Sequence, residues 1–411
     1  MINRVEHYPS RVSMINVGWS SKFDNGIIRE AYLEEDAQQI VSLFYDVYQG
    51  NYPFSFGQDP YVIKAEIADR NRYLWLVAEN SKHQIVAAVL FTRDSSQKLG
   101  KASGAVVHPN ARSMGLASLL LKTGVKYLTE EEKNVDIIYA TTRTVNEAPS
   151  KMLKEAGFLQ LGIFPNGLHI DQFENLNLDI YLTKTCLEKR RKKVQLYPPF
   201  SELYNIVKKK LGLEAAHFVT NRPLIQLGER YIKFHVNKDE IFAYNSYKKF
   251  YQGNRLAKSF FPFHKPNWII SSEDGGTDIF VWFGGAGMQA SILGYRTDQV
   301  NIQDLLNSVA VTLQGAGAAY VELLVSAYDV VAQQEAITAK FIPSAYFPAM
   351  SLGEDGLRDD YFILSRTFQL LDFSNSTVQL ENYNFLQAYF KFYKKLYMNP
   401  IIGKKNATNP S

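Results

Sequence analysis

The stretch VVHPNARSMGLASLLL, residues 106–121, sets Arg112, Gly115 and Ala117 immediately ahead of a run of leucines. Residues of these types at this spacing suit the binding of a phosphate-like anion. Val106 and Val107 are strand formers, and Pro109 ends the strand because it has no N–H for a sheet ladder. From Leu116 the apolar residues recur as Leu119, Leu120, Val125 and Leu128, a helical spacing with Gly124 as its weak point. A helix start leaves backbone N–H groups unpaired, and small residues let an anion approach them. The main chain of Ser113, Met114, Gly115, Leu116 and Ala117 would then form the cradle. The same residues also suit an ordinary tight turn, so the stretch alone fixes no function.

The flanking sequence supplies the elements that must position this turn. IIREAY (27–32) reads as a strand and LEEDAQQIVSLFYDVY (33–48) as an amphipathic helix with Ile40, Leu43, Phe44 and Val47 on one face. An aromatic loop, QGNYPFSFGQDPY, follows, and VIKAEIADRN reads as a short helix. YLWLVAEN and QIVAAVLFTR are apolar strands separated by SKH, a hairpin pattern. KASGAVVH is the strand entering the turn, and VDIIYATT (135–142) is a buried strand. NEAPSKMLKEAG is a helix ended by Gly157, and FLQLGIF is a further strand. The expected fold class is α/β, a mixed and mostly antiparallel sheet flanked by helices.

Of the 411 residues, 46% are hydrophobic and 21% charged, which is globular composition with room for two or three domains. A formal charge of +4 argues against a dedicated nucleic-acid binder. The basic run KRRKK (189–193), followed by YPPF, reads as a solvated interdomain hinge. One cysteine, Cys186, excludes an internal disulfide and a thiolate-rich metal site, so no metal is expected. No apolar run approaches 18 residues and the first residues lack an apolar signal core, so the expectation is a cytoplasmic protein without a membrane partner.

The second half echoes the first. AGFLQLGIFPN (156–166) aligns with AKFIPSAYFPA (339–349): Phe158 and Phe341 differ by 341 − 158 = 183, and so do Pro165 and Pro348. At that offset DIIYATT falls on AYVELLV. Duplication is the favoured explanation, giving two tandem copies of one fold. At the chemically interesting place the echo fails, because Arg112, Gly115 and Ala117 correspond to Tyr295, Asp298 and Val300. The following helix, capped by Asn301 or a neighbour, would have an acidic and bulkier mouth. The expected division is an extension (1–26), a ligand-competent domain (27–185), a basic linker (186–200), a degenerate copy (201–385) and a C-terminal segment with a loose tail (386–411).

With these elements joined, the first 183 or so residues resemble the GNAT superfamily of acyl-CoA-dependent N-acyltransferases. VVHPNARSMGLA matches that family's Arg/Gln-x-x-Gly-x-Gly/Ala signature through Arg112, Gly115 and Ala117. NEAPSKMLKEAGF matches a second block running from Asn146 to Phe158, and YLWLVAENSKHQIVAAVLF looks like the central hairpin. The resemblance implies that the turn holds the coenzyme A pyrophosphate. It also implies that the pantetheine arm lies along the backbone from Ala105 through Val106 and Val107, and that Asn146 bonds to the arm. Asn146 suits a helix N-cap as well.

Acyl transfer to an amine needs a base, an oxyanion donor and a proton for the departing thiolate. The Val107 N–H is a candidate oxyanion donor. Many relatives place a tyrosine acid seven residues after the block's Asn, where this chain has Leu153, so the leaving-group chemistry departs from the family pattern. Glu79 and His108 are the candidate bases; each also suits a structural role, as a hairpin charge and as a residue preceding proline. Tyr52, Asp59 and Tyr61 of the aromatic loop are candidate acceptor contacts.

The leading expectation is an N-acetyltransferase that moves an acetyl group from acetyl-CoA, or another short acyl-CoA, to a primary amine. The acceptor would be a small molecule or a peptide end. The second half would shape the acceptor cleft or mediate self-association as a homodimer. The alternative is a non-catalytic acyl-CoA-binding or regulatory protein. A nucleotide-binding domain of another class is disfavoured, since ARSMGLA lacks a P-loop's glycine spacing and Lys-Ser/Thr.

Overall fold

The computed structural model describes residues 15–17, 26–32, 35–52, 54–220, 226–228, 231–252, 263–299 and 301–398. Most of the expected extension, Leu33, Glu34, Pro53, Val300 and the tail IIGKKNATNPS lie outside the described residues. The chain divides into two compact units. The first comprises residues 1–142, 148–159 and 179–186, and the second 143–147, 160–178 and 187–411.

The first unit contains β1 (Ile15–Val17), β2 (Gly26–Glu30), α1 (Glu35–Tyr48), α2 (Pro60–Ala68), β3 (Tyr73–Glu79), β4 (Ile85–Asp94), β5 (Leu99–Val107), α3 (Leu116–Lys126), β6 (Ile137–Arg143) and α4 (Ala148–Glu155). β1 to β5 pair antiparallel in chain order, and β6 joins β5 in parallel. The fold is the expected mixed, mostly antiparallel sheet flanked by helices. β3 shows why its sequence reads as a continuous apolar run. Leu74, Leu76 and Ala78 pack under α3 with Leu116, Leu120, Leu121 and Val125. Trp75 and Val77 pack under α1 with Ala37, Ile40, Leu43 and Phe44. With both faces covered, the alternation disappears from the hydropathy pattern. Gly124 is a close-packing position, because a Cβ there would come within 2.1 Å of the Phe91 ring.

β7 (Leu159–His169) and β8 (Phe173–Leu182) each contribute residues to both units. β8 is absent from the sequence reading. Its Asn175, Asn177 and Asp179 disguise it, since these residue types are depleted in strands. All three are buried and bonded: Gln160 donates to Asn177 at 3.0 Å, Thr142 to Asp179 at 2.6 Å, and the Asn166 N–H to Asn175 at 2.8 Å. The short helix α5 (Lys184–Glu188) carries the buried Cys186.

The second unit holds β9 (Gln195–Leu196), α6 (Ser201–Leu211), β10 (His217–Phe218), β11 (Phe234–Asn237), α7 (Glu240–Gln252), β12 (Trp268–Ser272), β13 (Thr277–Gly284) and β14 (Gln289–Thr297). It continues with α8 (Ile302–Gly315), β15 (Tyr320–Ser326), α9 (Val330–Thr338), β16 (Ile342–Leu352), β17 (Arg358–Thr367) and α10 (Tyr383–Tyr393). Its sheet runs β7-β16-β17-β15-β14-β13-β12-β11, and β14–β15 is the parallel pair. From β3 onward the order β3-β4-β5-α3-β6-α4-β7-β8 recurs as β12-β13-β14-α8-β15-α9-β16-β17. β6 and β15 begin 320 − 137 = 183 residues apart, and β7 and β16 begin 342 − 159 = 183 apart.

Two expectations are corrected in this unit. The basic run is not a solvated hinge: Arg190 is buried, donating to Asp360 at 2.7 Å and to Glu214 at 2.6 Å, while Arg191 pairs with Asp359 and Asp355. The Asn301 side chain does not cap α8. Asp304, three residues on, instead accepts the Gly228 N–H at 2.7 Å.

Candidate functional site

β5 pairs with β6 only through Leu99↔Ile137, Gly100↔Ile138 and Lys101↔Tyr139. Beyond Lys101 the two parallel strands part, although β5 continues to Val107 beside β4. The His108 N–H donates to the Val86 carbonyl on the β4 side at 2.8 Å. Because successive residues of a strand present their polar groups to opposite edges, the N–H and C=O of Val107 face the gap that β6 leaves. An irregularity in the β4–β5 register between Ala88 and Leu90 accompanies Gly104, whose φ of +61° belongs to the left-handed region.

The turn after β5 is a short 3-10 segment, Pro109–Ala111, followed by Ser113 at φ +65° and Gly115 at φ +72°. Gly115 is the N-cap of α3 in a left-handed conformation, and no side chain caps this helix end. The first intrahelical bond from this end runs from Leu119 N–H to Gly115 C=O at 3.0 Å, so the N–H groups of Leu116, Ala117 and Ser118 precede it. Nothing lies within 4 Å of where a Gly115 Cβ would sit. The Arg112 N–H donates to the Pro109 carbonyl at 3.3 Å, while its side chain is exposed and joined by no hydrogen bond or ion pair to another described residue. The Met114 side chain packs on the core beside α3. Open N–H donors at a positive dipole end are chemically suited to receive an anion.

On the opposite face of the sheet the aromatic loop packs against the β5 irregularity. A Cβ on Gly104 would come within 2.8 Å of Phe56. Tyr52 stacks among Phe44, Tyr48, Phe54 and Phe56 at centroid distances of 4.6, 4.7, 5.6 and 5.5 Å. Tyr61 is largely exposed, with Lys64 over its ring. Asp59 is the N-cap of α2, accepting the Tyr61 N–H at 2.8 Å. That bond gives Asp59 a structural role the sequence reading did not assign.

Neither candidate base is available as expected. Glu79 is buried, with Oε2 2.5 Å from the Arg29 Nε and Oε1 2.5 Å from the His83 Nδ1. Arg29 is held in turn by both oxygens of Asp36, at 2.6 and 2.9 Å. A carboxylate with both oxygens engaged serves the fold. The His108 Nδ1 accepts the Asn110 N–H at 3.2 Å, capping the 3-10 turn, and its Nε2 faces Asp46 at 4.0 Å. In the neutral ring that arrangement leaves no free lone pair for a substrate proton. Leu153 lies buried in the core beside α3, away from any acid role. Asn146 is exposed in the bend before α4, within the stretch 143–147 that groups with the second unit and not with the turn.

Glu66 on α2 belongs to no candidate set in the sequence analysis. Its Oε2 accepts the Trp75 indole N–H at 2.8 Å. Burial pushes the carboxyl up to about 7, against the lowering influence of the Trp75 hydrogen bond and the Arg72 charge. The signal was present in the sequence, since Glu66 follows Ile63 by three residues and so shares its inward stripe. Among the described residues no group of metal-binding side chains occurs, and no helix is long and apolar enough to cross a membrane.

Residues 40–158 match the sequence model of the Acetyltransferase (GNAT) family. None of the curated proteins compared matches the chain. Among solved structures, similarity extends to a GNAT-family acetyltransferase from Streptococcus pneumoniae (22% identity, 38% of this chain and 99% of that one, TM-score 0.34). It extends also to a ribosomal-protein-S5-alanine acetyltransferase from Vibrio fischeri (17%, 41% and 97%, TM-score 0.35). A third is the spermidine N-acetyltransferase from Vibrio cholerae in complex with CoA and spermine (15%, 38% and 95%, TM-score 0.34). The strand gap, the uncapped helix and the aromatic loop all fall inside the matched stretch, and residues 40–158 are a domain of the GNAT acetyltransferase family.

Proposed function

We propose that the first unit is an N-acetyltransferase that takes an acetyl group from acetyl-CoA and gives it to a primary amine by direct attack. The observation that carries this reading is the uncapped N-terminus of α3 behind the left-handed Gly115. The pyrophosphate would rest on the N–H groups of Ser113 to Ala117 with Arg112 alongside. The thioester arm would lie against Ala105 to Val107. The amine nitrogen would add to the thioester carbonyl while the Val107 N–H donates to the developing oxyanion. The C–S bond then breaks, and the thiolate takes up the proton the nitrogen releases. The second unit is proposed as a diverged copy, on the recurrence of its elements.

Calorimetric titration with acetyl-CoA, beside a Gly115→Glu variant, tests the reading. Binding lost in the variant supports it, and an amine screen by thiol release follows. Absence of binding to acetyl-CoA, longer acyl-CoAs and free coenzyme A overturns it. A second reading, a non-catalytic acyl-CoA-binding protein, draws support from the buried Leu153 and the engaged Glu79 and His108. Coenzyme binding without thiol release for any amine would favour it.

A further inference from the structure

We propose that Glu66 is the carboxylate that holds a non-reacting ammonium group of the acceptor in the first unit, so that the acceptor is an alkylamine carrying a second, cationic nitrogen. The inference rests on the acetyltransferase reading and adds to it the residue that selects the substrate.

Placement carries the argument. The strand register sets Trp75 opposite Leu90, and Leu90 opposite Ser103. The residue that anchors Glu66 therefore stands on the cross-strand row that reaches β5 beside Gly104, where the strands have begun to part. Phe56 bridges the same two points. Its ring packs edge-on against Trp75 at 5.8 Å, and it abuts the Gly104 backbone. A line of contacts thus joins Glu66 through Trp75 and Phe56 to Gly104, the residue that precedes the stretch of β5 assigned to the thioester.

The chemistry of this wall is selective. The Trp75 N–H occupies Oε2, and no other hydrogen bond or ion pair to Glu66 occurs among the described residues, which leaves Oε1 for a ligand. Arg72 acts on the carboxylate only at longer range, with its guanidinium 5.4 Å over the Tyr73 ring. Phe56 packs on Trp75, and the rings of Tyr52 and Phe54 pack in turn on Phe56 at 5.5 and 5.8 Å. Aromatic faces and a carboxylate both favour a cation carrying an apolar stem. A neutral amine or an amide would gain little from either.

The test is binding of 1,4-diaminobutane and of its neutral counterpart 1,4-butanediol to the full chain, in the wild type, Glu66→Gln and Glu66→Asp. Acetyl-CoA affinity is measured in parallel. The amide of E66Q can still accept from Trp75, so the fold is retained, which circular dichroism checks. The expected result is diaminobutane binding weakened at least tenfold in E66Q, at least threefold stronger in E66D than in E66Q, and acetyl-CoA affinity unchanged. Equal diaminobutane affinity in wild type and E66Q overturns the proposal. So does a wild type that binds acetyl-CoA yet does not prefer the diamine to the diol, a comparison that needs no variant. Failure to bind acetyl-CoA refutes the acetyltransferase reading instead, and the two failures are therefore distinct.

Discussion

Arg29 and Glu79 meet at 2.5 Å in the interior of the first unit, on neighbouring strands whose register sets Arg29 opposite Val77 and Ile27 opposite Glu79. Asp36 of α1 closes the group from the other side. Glu79→Ala is expected to cost about 1–3 kcal/mol, because the buried Arg29 guanidinium loses one charged partner while Asp36 still holds it. Urea denaturation measures that loss. A normal unfolding midpoint together with a collapsed catalytic rate would restore Glu79 as the base.

Gly115→Glu is expected to abolish coenzyme binding. It places a carboxylate at the helix mouth and a side chain at φ +72°, a conformation costing about 1–2 kcal/mol outside glycine. Gly212→Glu is the matched control. Gly212 ends α6 at φ +66° with no atom within 4 Å of a Cβ, so the strain is similar and the turn untouched. Titration with acetyl-CoA should separate the two variants by at least a hundredfold in Kd, at comparable Tm.

Asp59→Ala is expected to destabilise the first unit by about 1 kcal/mol, the usual effect of removing an N-cap acceptor. Its KM for an amine should change less than threefold. A larger KM effect with unchanged Tm would return Asp59 to the acceptor site.

The carboxyl of Glu66, pushed up to about 7 by burial from an ordinary 4.5, binds its proton more tightly in the folded protein than in the unfolded chain. Its stabilising contribution is complete below pH 4.5 and is lost as pH rises towards 7. Relative to Glu66→Gln, which does not titrate, the wild type should lose about 2 kcal/mol between pH 4.5 and 7.5, allowing for partial solvent access. Paired denaturant melts across that window provide the measurement. A flat difference would mean that Glu66 titrates alike in both states.

Much of the first unit was legible because its apolar residues mark its elements. The SKH hairpin, the strand ending before Pro109 and the helix from Leu116 all stand where the pattern put them. β8 was not legible, because its polar side chains face partners that only the folded sheet supplies. The uncapped helix start could be read since it depends on backbone conformation, for which Gly115 is a direct marker. Side-chain roles were less accessible. Glu79 and His108 carry catalytic residue types, but whether such a group is free depends on neighbours as distant in sequence as Arg29. Glu66 shows the reverse: its position on the Ile63 stripe was visible, yet only the Trp75 contact gives it meaning.

The parting of β5 and β6 has a thermodynamic consequence. A sheet that stops zipping at Lys101 forgoes the ladder bonds that the next residues of both strands would otherwise form. Those residues remain as two facing edges, already oriented and already paid for in chain entropy. A molecule that threads between them completes an unfinished seam and meets little ordering cost. Affinity and fold stability should therefore rise together, with Tm climbing in proportion to the logarithm of coenzyme concentration once that exceeds Kd.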